Sequence, residues 1–417
     1  MELVKDMGVG INLGNTLESC GSWIDQWGGG KVEAYETAWG SPVITEDMIK
    51  GYADAGFGVL RVPVAWSNMM SADYTINPNY LARTREIVDW ALDADMYVIL
   101  NIHWDGGWWE NFSTDKTECM KKYTRIWDQL TEEFAGYDDY LMFESLNEEG
   151  HWDDIALDDA YALLNEINQT FVDLVRDSGG NNDERHLLIA GYATDVDKTC
   201  DARFVMPDDP MNRCAVSVHY YTPATFCLLE EDVSWGKCES TWGDTSDVRV
   251  LNGYMNKLQK TFVNNDIPVI IGEYGCPTKN KEIASVRNFI SYTAEAALKR
   301  NMCPVLWDVT DLHYSRETCS IKDSVLADFF AQFRKLSYSL GDVDADGNIN
   351  ALDASMILTA YANTATGKDS GLVQEQITAA DVNSDGAVDA LDASEVLSYY
   401  AYTATNGSLS FPEFIAK

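Results

Sequence analysis

Eight short apolar segments, separated by stretches with helical spacing, constrain the fold of residues 1–338 more than any other feature. Each segment is nearly continuous in apolar residues and ends in polar or aromatic ones, as strands buried on both faces of a parallel sheet do. Eight strand–helix units predict an α/β fold, a closed (β/α)8 TIM barrel. The predicted strands lie at 9–14, 58–64, 97–103, the start of 141–151, 187–191, 215–221, 268–274 and 303–308, and helical spacing is clearest at 81–95, 121–135, 161–176 and 283–300.

An internal repeat follows the barrel region. DVDADGNINALD at 342–353 is echoed by DVNSDGAVDALD at 381–392. In both copies, positions 1, 3, 5, 9 and 12 carry oxygen-bearing side chains and position 6 is Gly, which is the spacing of a calcium loop. We therefore expect a small all-α domain with two EF-hand-like loops at 341–403, after a short joint at 336–340 and before a C-terminal tail at 404–417.

Each predicted loop supplies six oxygen ligands to one structural Ca²⁺ ion, so two ions are expected. The position-seven ligand is a backbone carbonyl and the others are side chains. The first set is Asp342, Asp344, Asp346, Asn348, Asn350 and Asp353, and the second is Asp381, Asn383, Asp385, Ala387, Asp389 and Asp392.

The chain is strongly acidic, with a formal net charge of −37. Such a charge argues against nucleic acid or an anionic membrane as a partner and suits a neutral substrate. No apolar run is long enough to cross a membrane. The first residues lack the basic start and apolar core of a signal peptide, so we interpret the sequence as a mature or trimmed form.

The nine cysteines are scattered and form no Cys-x-x-Cys pair. They predict neither a zinc site nor a disulfide framework. Cys227 and Cys238 flank an acidic loop, and a bond between them is left open.

Polar and aromatic residues stand at the ends of seven of the eight predicted strands. In a closed parallel barrel these ends converge on one mouth, where catalytic groups are found. The presence of any one of these residues is adequately explained by a hydrogen-bonded polar side chain at the rim of the barrel. That explanation is poor for the whole set. The set is Asn15, Arg61, His103, Asn147, Glu148, His219, Tyr221, Glu273 and Trp307.

Two of these residues are carboxylates that end the fourth and seventh strands. Such a pair cleaves glycosidic bonds, with one acid protonating the leaving oxygen and the other attacking the anomeric carbon. Arg61 and Tyr221 are suited to hold a carboxylate ionised, which makes Glu273 the nucleophile and Glu148 the acid/base. Asn147 is suited to a sugar 2-hydroxyl, and Trp307 offers a flat face to a pyranose ring.

These residues resemble glycoside hydrolase family 5, in its bacterial endoglucanase and xyloglucanase branch, over roughly residues 5–338. The resemblance implies a retaining mechanism that needs no cofactor, with Glu148 as acid/base and Glu273 as nucleophile, surrounded by Arg61, His103, Asn147, His219, Tyr221 and Trp307. The motifs that carry it are INLGNT (11–16), RVPV (61–64), NIH (101–103), SLNE (145–148), SVHYY (217–221), IIGEYG (270–275) and LWD (306–308).

Two positions depart from the family pattern. Glu149 follows the acid/base where the family usually has Pro. We expect it to point to solvent, the alternative being that its charge raises the pKa of Glu148. Trp104 stands where close relatives often have a second His, and we place it among the substrate contacts. Of the loop tryptophans, we expect Trp39, Trp108 and Trp109 to stack on sugars.

The repeat resembles a dockerin, the module that attaches a secreted enzyme to a scaffoldin cohesin. The twelfth loop residue is Asp rather than the Glu of calcium sensors. The resemblance implies cohesin contacts at loop positions ten and eleven, which are Ala351, Leu352, Ala390 and Leu391. Because the two copies are identical there, binding in two orientations related by a half-turn is expected. The small domain should need calcium to fold.

The sequence thus predicts a secreted, monomeric, retaining endo-β-1,4-glucanase tethered to a cellulosome scaffold. A β-glucan such as cellulose, mixed-linkage glucan or xyloglucan is the expected substrate, and mannan and xylan are alternatives. The rival hypotheses are a non-catalytic carbohydrate-binding scaffold component on the same fold, and a calcium-triggered signalling protein.

Overall fold

The computed structural model of the protein describes residues 1–334, 338–405 and 407–416. The chain divides into two units, residues 1–334 and 335–417. Residues 336 and 337 of the predicted joint lie outside the described residues.

The first unit contains the predicted TIM barrel. Eight strands close in chain order, and every neighbouring pair, including the first and the last, is parallel. The strands are short because each must only cross the barrel wall, and their residues are buried almost throughout. They are β1 (Gly10–Asn12), β2 (Val59–Val62), β3 (Tyr97–Asn101), β4 (Leu141–Glu144), β5 (Leu187–Asp195), β6 (Cys214–Tyr220), β7 (Val269–Tyr274) and β8 (Cys303–Leu306).

Helices surround the strands. The helices predicted from 81, 121 and 161 begin three to five residues earlier, at Pro78, Lys116 and Leu157, because polar residues in their first turns interrupt the apolar spacing, whereas the helix predicted from 283 begins at Ile283. Asn77 caps a helix whose first residue is Pro78, and Asp115 caps another by accepting from the amide of Glu118. The α-helices are Glu2–Met7, Ser22–Trp27, Val32–Glu36, Glu46–Asp54, Pro78–Asp93, Lys116–Glu133, Leu157–Asp177, Val196–Thr199, Ala224–Cys227, Thr245–Thr261, Ile283–Leu298 and Ser324–Ala331. Short 3-10 segments span Asp105–Ser113, Gly180–Asp183 and Val263–Asn265, and Tyr314–Ser315 pairs with Ser320–Ile321.

β5 is longer than predicted and bends near its end. Its register with β6 shifts between Ala190 and Asp195, and both Ala193 and Thr194 adopt positive φ angles. The bend brings the amide of Ala193 to within 2.6 Å of the carbonyl oxygen of Glu149. The end of β5 therefore holds the loop that follows β4.

The second unit is helical, with helices at Ala351–Ala365, Gln374–Ala380, Ala390–Ala404 and Phe411–Ile415. Its own apolar core includes Val343, Ile357, Val382, Val396 and Phe411. Phe411 belongs to the segment that we predicted as a tail, and that segment contributes to the core.

In the described parts of the chain, all nine cysteines are free thiols. The Cys227–Cys238 bond left open above is therefore not formed, since Cys227 is buried and the Cys238 thiol lies 3.2 Å from the carbonyl oxygen of Leu229. Among the described residues, no helix combines the length and apolarity needed to span a bilayer.

Candidate active site

Arg61 is the organising residue of the barrel mouth. It lies on β2, is fully buried, and its guanidinium donates to four side chains. Nε donates to Glu144 at 2.7 Å, Nη2 to Asn147 at 2.8 Å, and Nη1 to both Asn12 at 3.0 Å and Glu273 at 2.8 Å. The guanidinium thus ties strands β1, β4 and β7 to β2 through charge-assisted bonds.

Glu144 is a member of this network that the sequence analysis missed. It is fully buried at the end of β4 and accepts from Asn101 at 3.0 Å and from Ser217 at 2.7 Å, besides Arg61. An acid inside the apolar run LMFE was the available signal. A charge buried this deeply persists only when its lone pairs are satisfied, as they are here.

Asn12, also missed, plays a similar part on β1. Its side-chain amide donates to the carbonyl oxygens of Gly272 and Leu306. Asn15, which we predicted as a substrate contact, lies in the turn after β1 with a positive φ angle, and its backbone amide donates to Glu18. Asn12, rather than Asn15, reaches Arg61.

The two predicted catalytic carboxylates face each other across His219. Nδ1 of His219 lies 2.7 Å from Glu148 and 3.6 Å from Glu273. One oxygen of each glutamate and a nitrogen of His219 lie within 4.8 Å of one another. The Glu148 side chain is 47% exposed, whereas that of Glu273 is almost buried.

Both oxygens of Glu273 are held. Arg61 donates to one oxygen, and the Tyr221 hydroxyl donates to the other at 2.9 Å. Nε2 of His103 lies 3.9 Å from the oxygen that faces Arg61. The carboxylate is thereby fixed in orientation, with Glu148 on its open side.

The pKa directions of the two acids differ. Burial raises the pKa of Glu273, and the charges of His219 and Arg61 offset this only in part. Burial is the largest influence on Glu148 and acts to raise its pKa. The hydrogen bond with His219, together with the charges of His219, Arg61 and His151, outweighs burial and lowers that pKa. The contacts of Arg61 and Tyr221, which the sequence predicts to hold this carboxylate ionised, oppose the rise but leave the pKa of Glu273 above its usual value.

His103 and Trp307 form an aromatic pair beside Glu273. Their rings are nearly parallel, at 4°, with centroids 5.8 Å apart. Burial and the charge of Arg61 lower the pKa of His103 well below its usual value, so its imidazole is neutral. The pair gives the mouth a flat, uncharged wall.

The loop after β3 carries three of the predicted sugar contacts. Trp104 is exposed and meets Trp109 edge-on. The prediction for Trp109 is wrong in this structure, because its ring is buried and its indole N–H donates to the carbonyl oxygen of Trp104. Trp108 is half-buried, with its N–H bonded to Asp105 and the ammonium of Lys122 over its ring.

Trp39, the remaining loop tryptophan that is predicted to stack on a sugar, is exposed in the loop that follows β1.

Glu149 is fully buried, and our expectation that it points to solvent is wrong. Neither carboxyl oxygen has a hydrogen-bond partner among the described residues. Gly150, with φ of 130°, and the bent end of β5 fold the chain over this side chain. Burial, and to a lesser degree the charge of Glu148, raise the pKa of Glu149 well above its usual value. Its surroundings therefore favour the protonated, neutral form of the acid.

The two loops of the second unit share one geometry. The carboxylate of Asp342 accepts from the amides of Asp346 and Gly347, and that of Asp381 accepts from Asp385 and Gly386 in the same way. Gly347 and Gly386 both have the positive φ angles, 82° and 85°, that the sharp turn at position six requires.

The donor set of the loops fits calcium. Carboxylate oxygens of Asp342, Asp344 and Asp353 lie within 4.8 Å of one another, and an all-oxygen cluster of this kind suits a hard cation. Asn350 and Asp389, at position nine, cap the helices that follow by accepting from Leu352 and Leu391. All four predicted cohesin contacts, Ala351, Leu352, Ala390 and Leu391, are exposed on these helices.

Comparison with known proteins places this geometry in context. The sequence model of cellulases of glycosyl hydrolase family 5 matches residues 20–312, and that of the type I dockerin domain matches residues 340–399. The chain is 31% identical to endoglucanase B of Clostridium cellulovorans over 387 residues, which are 88% of this chain and 84% of the relative. It is 34% identical to a xyloglucan-specific endo-β-1,4-glucanase of Bacteroides ovatus, over 76% of this chain and 67% of that protein.

Solved structures agree with this placement. A broad-specificity endoglucanase from an uncultured bovine rumen ciliate superimposes with a TM-score of 0.72 and 34% identity, over 80% of this chain and 97% of that one.

Proposed function

This chain belongs to glycoside hydrolase family 5 and carries a type I dockerin, and on that basis we propose that it cleaves internal β-1,4-glucosidic bonds of a plant cell-wall glucan. The observation that carries the proposal is the pair of carboxylates, Glu148 and Glu273, with one oxygen of each within 4.8 Å of the other. Retaining glycosidases hold their two carboxyl groups about 5–5.5 Å apart, whereas inverting ones leave room for a water molecule. The short separation supports direct attack by a carboxylate.

Glu273 is the nucleophile in this mechanism. Arg61 and Tyr221 fix both of its oxygens, so that the carboxylate attacks the anomeric carbon without first reorganising. Glu148 protonates the departing glycosidic oxygen and then takes a proton from the water that releases the sugar from Glu273. Asn147, oriented by Arg61, is placed to bind the 2-hydroxyl of the sugar.

The acid/base role requires a protonated Glu148 at the first step, although His219 lowers the pKa of Glu148 in this structure. We propose that substrate binding raises the pKa of Glu148. A sugar over the exposed half of Glu148 excludes water, which raises the pKa of the acid. The glycosidic oxygen then replaces His219 as the partner of Glu148, while the bonds from Arg61 and Tyr221 favour the ionised form of Glu273.

The substrate is a neutral β-1,4-glucan, either cellulose-like, mixed-linkage or xyloglucan. A chain of net charge −37 repels polyanions, which argues against nucleic acid or an anionic membrane as a partner. Our proposal is of an enzyme that acts as a monomer. The Trp307–His103 wall suits the apolar face of a pyranose.

The test is the release of reducing ends from carboxymethyl cellulose, barley β-glucan, xyloglucan, glucomannan and xylan, with product length followed over time. We expect a rapid fall in the length of one β-glucan. Glu273→Gln should abolish hydrolysis and leave folding and glucan binding nearly intact. A fully active Glu273→Gln protein would overturn the assignment, and wild-type protein inactive on every polymer would favour a non-catalytic carbohydrate-binding protein.

The dockerin attaches the enzyme to a scaffoldin cohesin outside the cell, with one Ca²⁺ in each loop. Two equivalent faces support binding in two orientations, because Leu352 and its repeat counterpart Leu391 are both exposed. Charge substitution at one leucine should leave cohesin binding within about twofold, and substitution at both should remove it, since fully buried interface anchors carry most of the affinity. Loss of binding after a single substitution would refute the two-orientation proposal.

A further inference from the structure

Two exposed tryptophans stand on the short helix that follows β1. Trp23 and Trp27 occupy positions i and i+4 of Ser22–Trp27, and therefore share one helix face. Their side chains are 45% and 56% exposed, and their rings are nearly parallel, at 21°, with centroids 6.1 Å apart. We define these two residues as the tryptophan pair. Exposed apolar groups that adjoin one another, unlike single exposed residues, mark binding sites.

The helix beneath the pair is anchored on its opposite side. Ile24 is fully buried in the core, and Asp25 accepts a short hydrogen bond from Tyr35, whose ring is itself buried. Gly21, with φ of 150°, lies so close to Trp23 that a β-carbon there would come within 2.8 Å of the indole carbon Cδ1. The indole of Trp23 therefore rests on bare backbone and is held in place. A pre-positioned ring binds with a smaller loss of side-chain entropy than a mobile one.

The loop that carries the pair starts at the active-site mouth. A β-carbon at Gly14 would lie 3.2 Å from the indole of Trp307, and the amide of Gly14 donates to Asp308. Further along, the carbonyl oxygen of Ser19 accepts from Asn68 at 2.8 Å. Cys20 lies against the backbone of Gly106 in the loop after β3. The loop thus continues the rim from Trp307 past the β2 and β3 loops.

The charge around the pair indicates the class of ligand. Between Gly21 and Lys31 the only ionisable side chains are Asp25 and Lys31 itself, and Asp25 is engaged by Tyr35. Flat, exposed indoles without an adjacent charge suit the apolar face of a neutral sugar.

We propose that the tryptophan pair is a remote subsite that binds glucosyl residues of a long β-1,4-glucan several sugars away from the scissile bond, on the side of the mouth formed by β8, β1, β2 and β3. The proposal rests on the proposed function. It predicts a preference for polymers, because extra binding energy becomes available only to substrates long enough to reach Trp23 and Trp27.

The test compares long and short substrates in the full-length protein with Trp23→Ala and Trp27→Ala combined. kcat/KM on barley β-glucan should fall about tenfold, as expected for the loss of two aromatic contacts, while kcat/KM on p-nitrophenyl β-cellobioside should stay within about twofold. Tyr292→Ala, which removes an exposed aromatic ring on Ile283–Leu298, is the matched control and should change neither value.

Three outcomes are decisive. If the wild-type protein cleaves β-glucan and the double variant keeps the ratio of the two kcat/KM values, the subsite is refuted and the proposed function stands. If the ratio is unchanged but the variant loses a dimer seen for the wild type by light scattering, the pair covers a second copy and the subsite is likewise refuted. Wild-type protein inactive on all glucans would refute the proposed function itself.

If the double variant does not fold, a second measurement still tests the subsite. In the Glu273→Gln background, calorimetric affinity for cellohexaose should fall with Trp27→Ala alone, because Trp27 is the more exposed of the two and supports less of the loop. Unchanged affinity for cellohexaose in a variant with wild-type melting would overturn the proposal.

Discussion

Nδ1 of His219 lies 2.7 Å from Oε1 of Glu148, closer than to any oxygen of Glu273. One imidazole thereby acts on the protonation of both acids. The hydrogen bond lowers the pKa of Glu148, and the charge of His219 opposes the rise in the pKa of Glu273 that burial causes.

His219→Phe should move the whole pH profile of kcat/KM upward by about one pH unit. Without His219 the pKa values of Glu148 and Glu273 both rise, so both limbs of the profile move up. Tyr221→Phe is the matched control, because its hydroxyl donates only to Glu273, and it should move only the limb that reports Glu273. Unmoved limbs in His219→Phe would show that His219 does not set these pKa values.

Glu148→Ala should separate the two chemical steps. On barley β-glucan its rate should fall by about 10²–10⁴, the usual contribution of general acid catalysis. On 2,4-dinitrophenyl β-cellobioside the first step should be nearly unaffected, because that leaving group departs without a proton. A burst of dinitrophenol in stopped-flow measurements checks this, and equal losses on both substrates would contradict the assignment of Glu148 as acid/base.

Glu149→Gln should stabilise the catalytic unit at neutral and alkaline pH. The folded-state pKa of Glu149 is raised, so its contribution to stability is fully present below the unfolded pKa and is lost as pH rises through the folded value. Each tenfold change in proton affinity is worth about 1.4 kcal/mol, and we expect a gain of at least that size at pH 8.

Denaturant unfolding of wild type and Glu149→Gln at pH 4 and pH 8 measures the Glu149 effect. The difference between the two proteins should be small at pH 4 and large at pH 8. A difference that does not grow with pH would mean that Glu149 is not held as a neutral acid.

Calcium removal should unfold the second unit and spare the first. Asp342, Asp344 and Asp353 bring carboxylate oxygens within 4.8 Å of one another, and their mutual repulsion is relieved by a bound cation. A chelator should therefore abolish the melting transition of residues 335–417. Hydrolysis of soluble β-glucan should be unchanged. Titration calorimetry should give two ions for the wild type and one for Asp353→Asn or Asp392→Asn, whereas Asp369→Asn, an acid outside both loops, should still bind two. A calcium-independent fold would contradict the dockerin proposal.

The barrel was predictable because buried parallel strands leave a direct record in the sequence, as continuous apolar runs ending in polar residues. The polar residues at the ends of these runs also predicted that Arg61, Glu148, His219 and Glu273 lie around one mouth of the barrel. The sequence analysis did not identify Glu144 and Asn12 as site residues, because a polar residue near the end of a strand is easily taken for the start of the solvated loop. Only the meeting of four strands around Arg61 shows that both residues face inward.

The loops were predicted least well, since burial there depends on neighbours distant in sequence. Glu149 looks like a solvated acid until the bend of β5 at Ala193 closes over it. From the sequence Trp109 is a candidate for stacking on a sugar, but in the structure the ring of Trp104 packs against it and Trp152 donates a hydrogen bond to its carbonyl oxygen. Such contacts between loops leave no periodic pattern in the sequence.

Because Arg61 is bonded to two acids, Glu144 and Glu273, the fold does not depend on Glu273, the proposed nucleophile. When Glu273 is replaced by a neutral side chain, the buried guanidinium still has Glu144 as its counter-ion. An uncompensated buried cation would cost several kcal/mol and is avoided here. Inactive variants at this position are thus suited to trapping an intact polysaccharide for crystallography, and the frame tolerates re-engineering of its reactive centre.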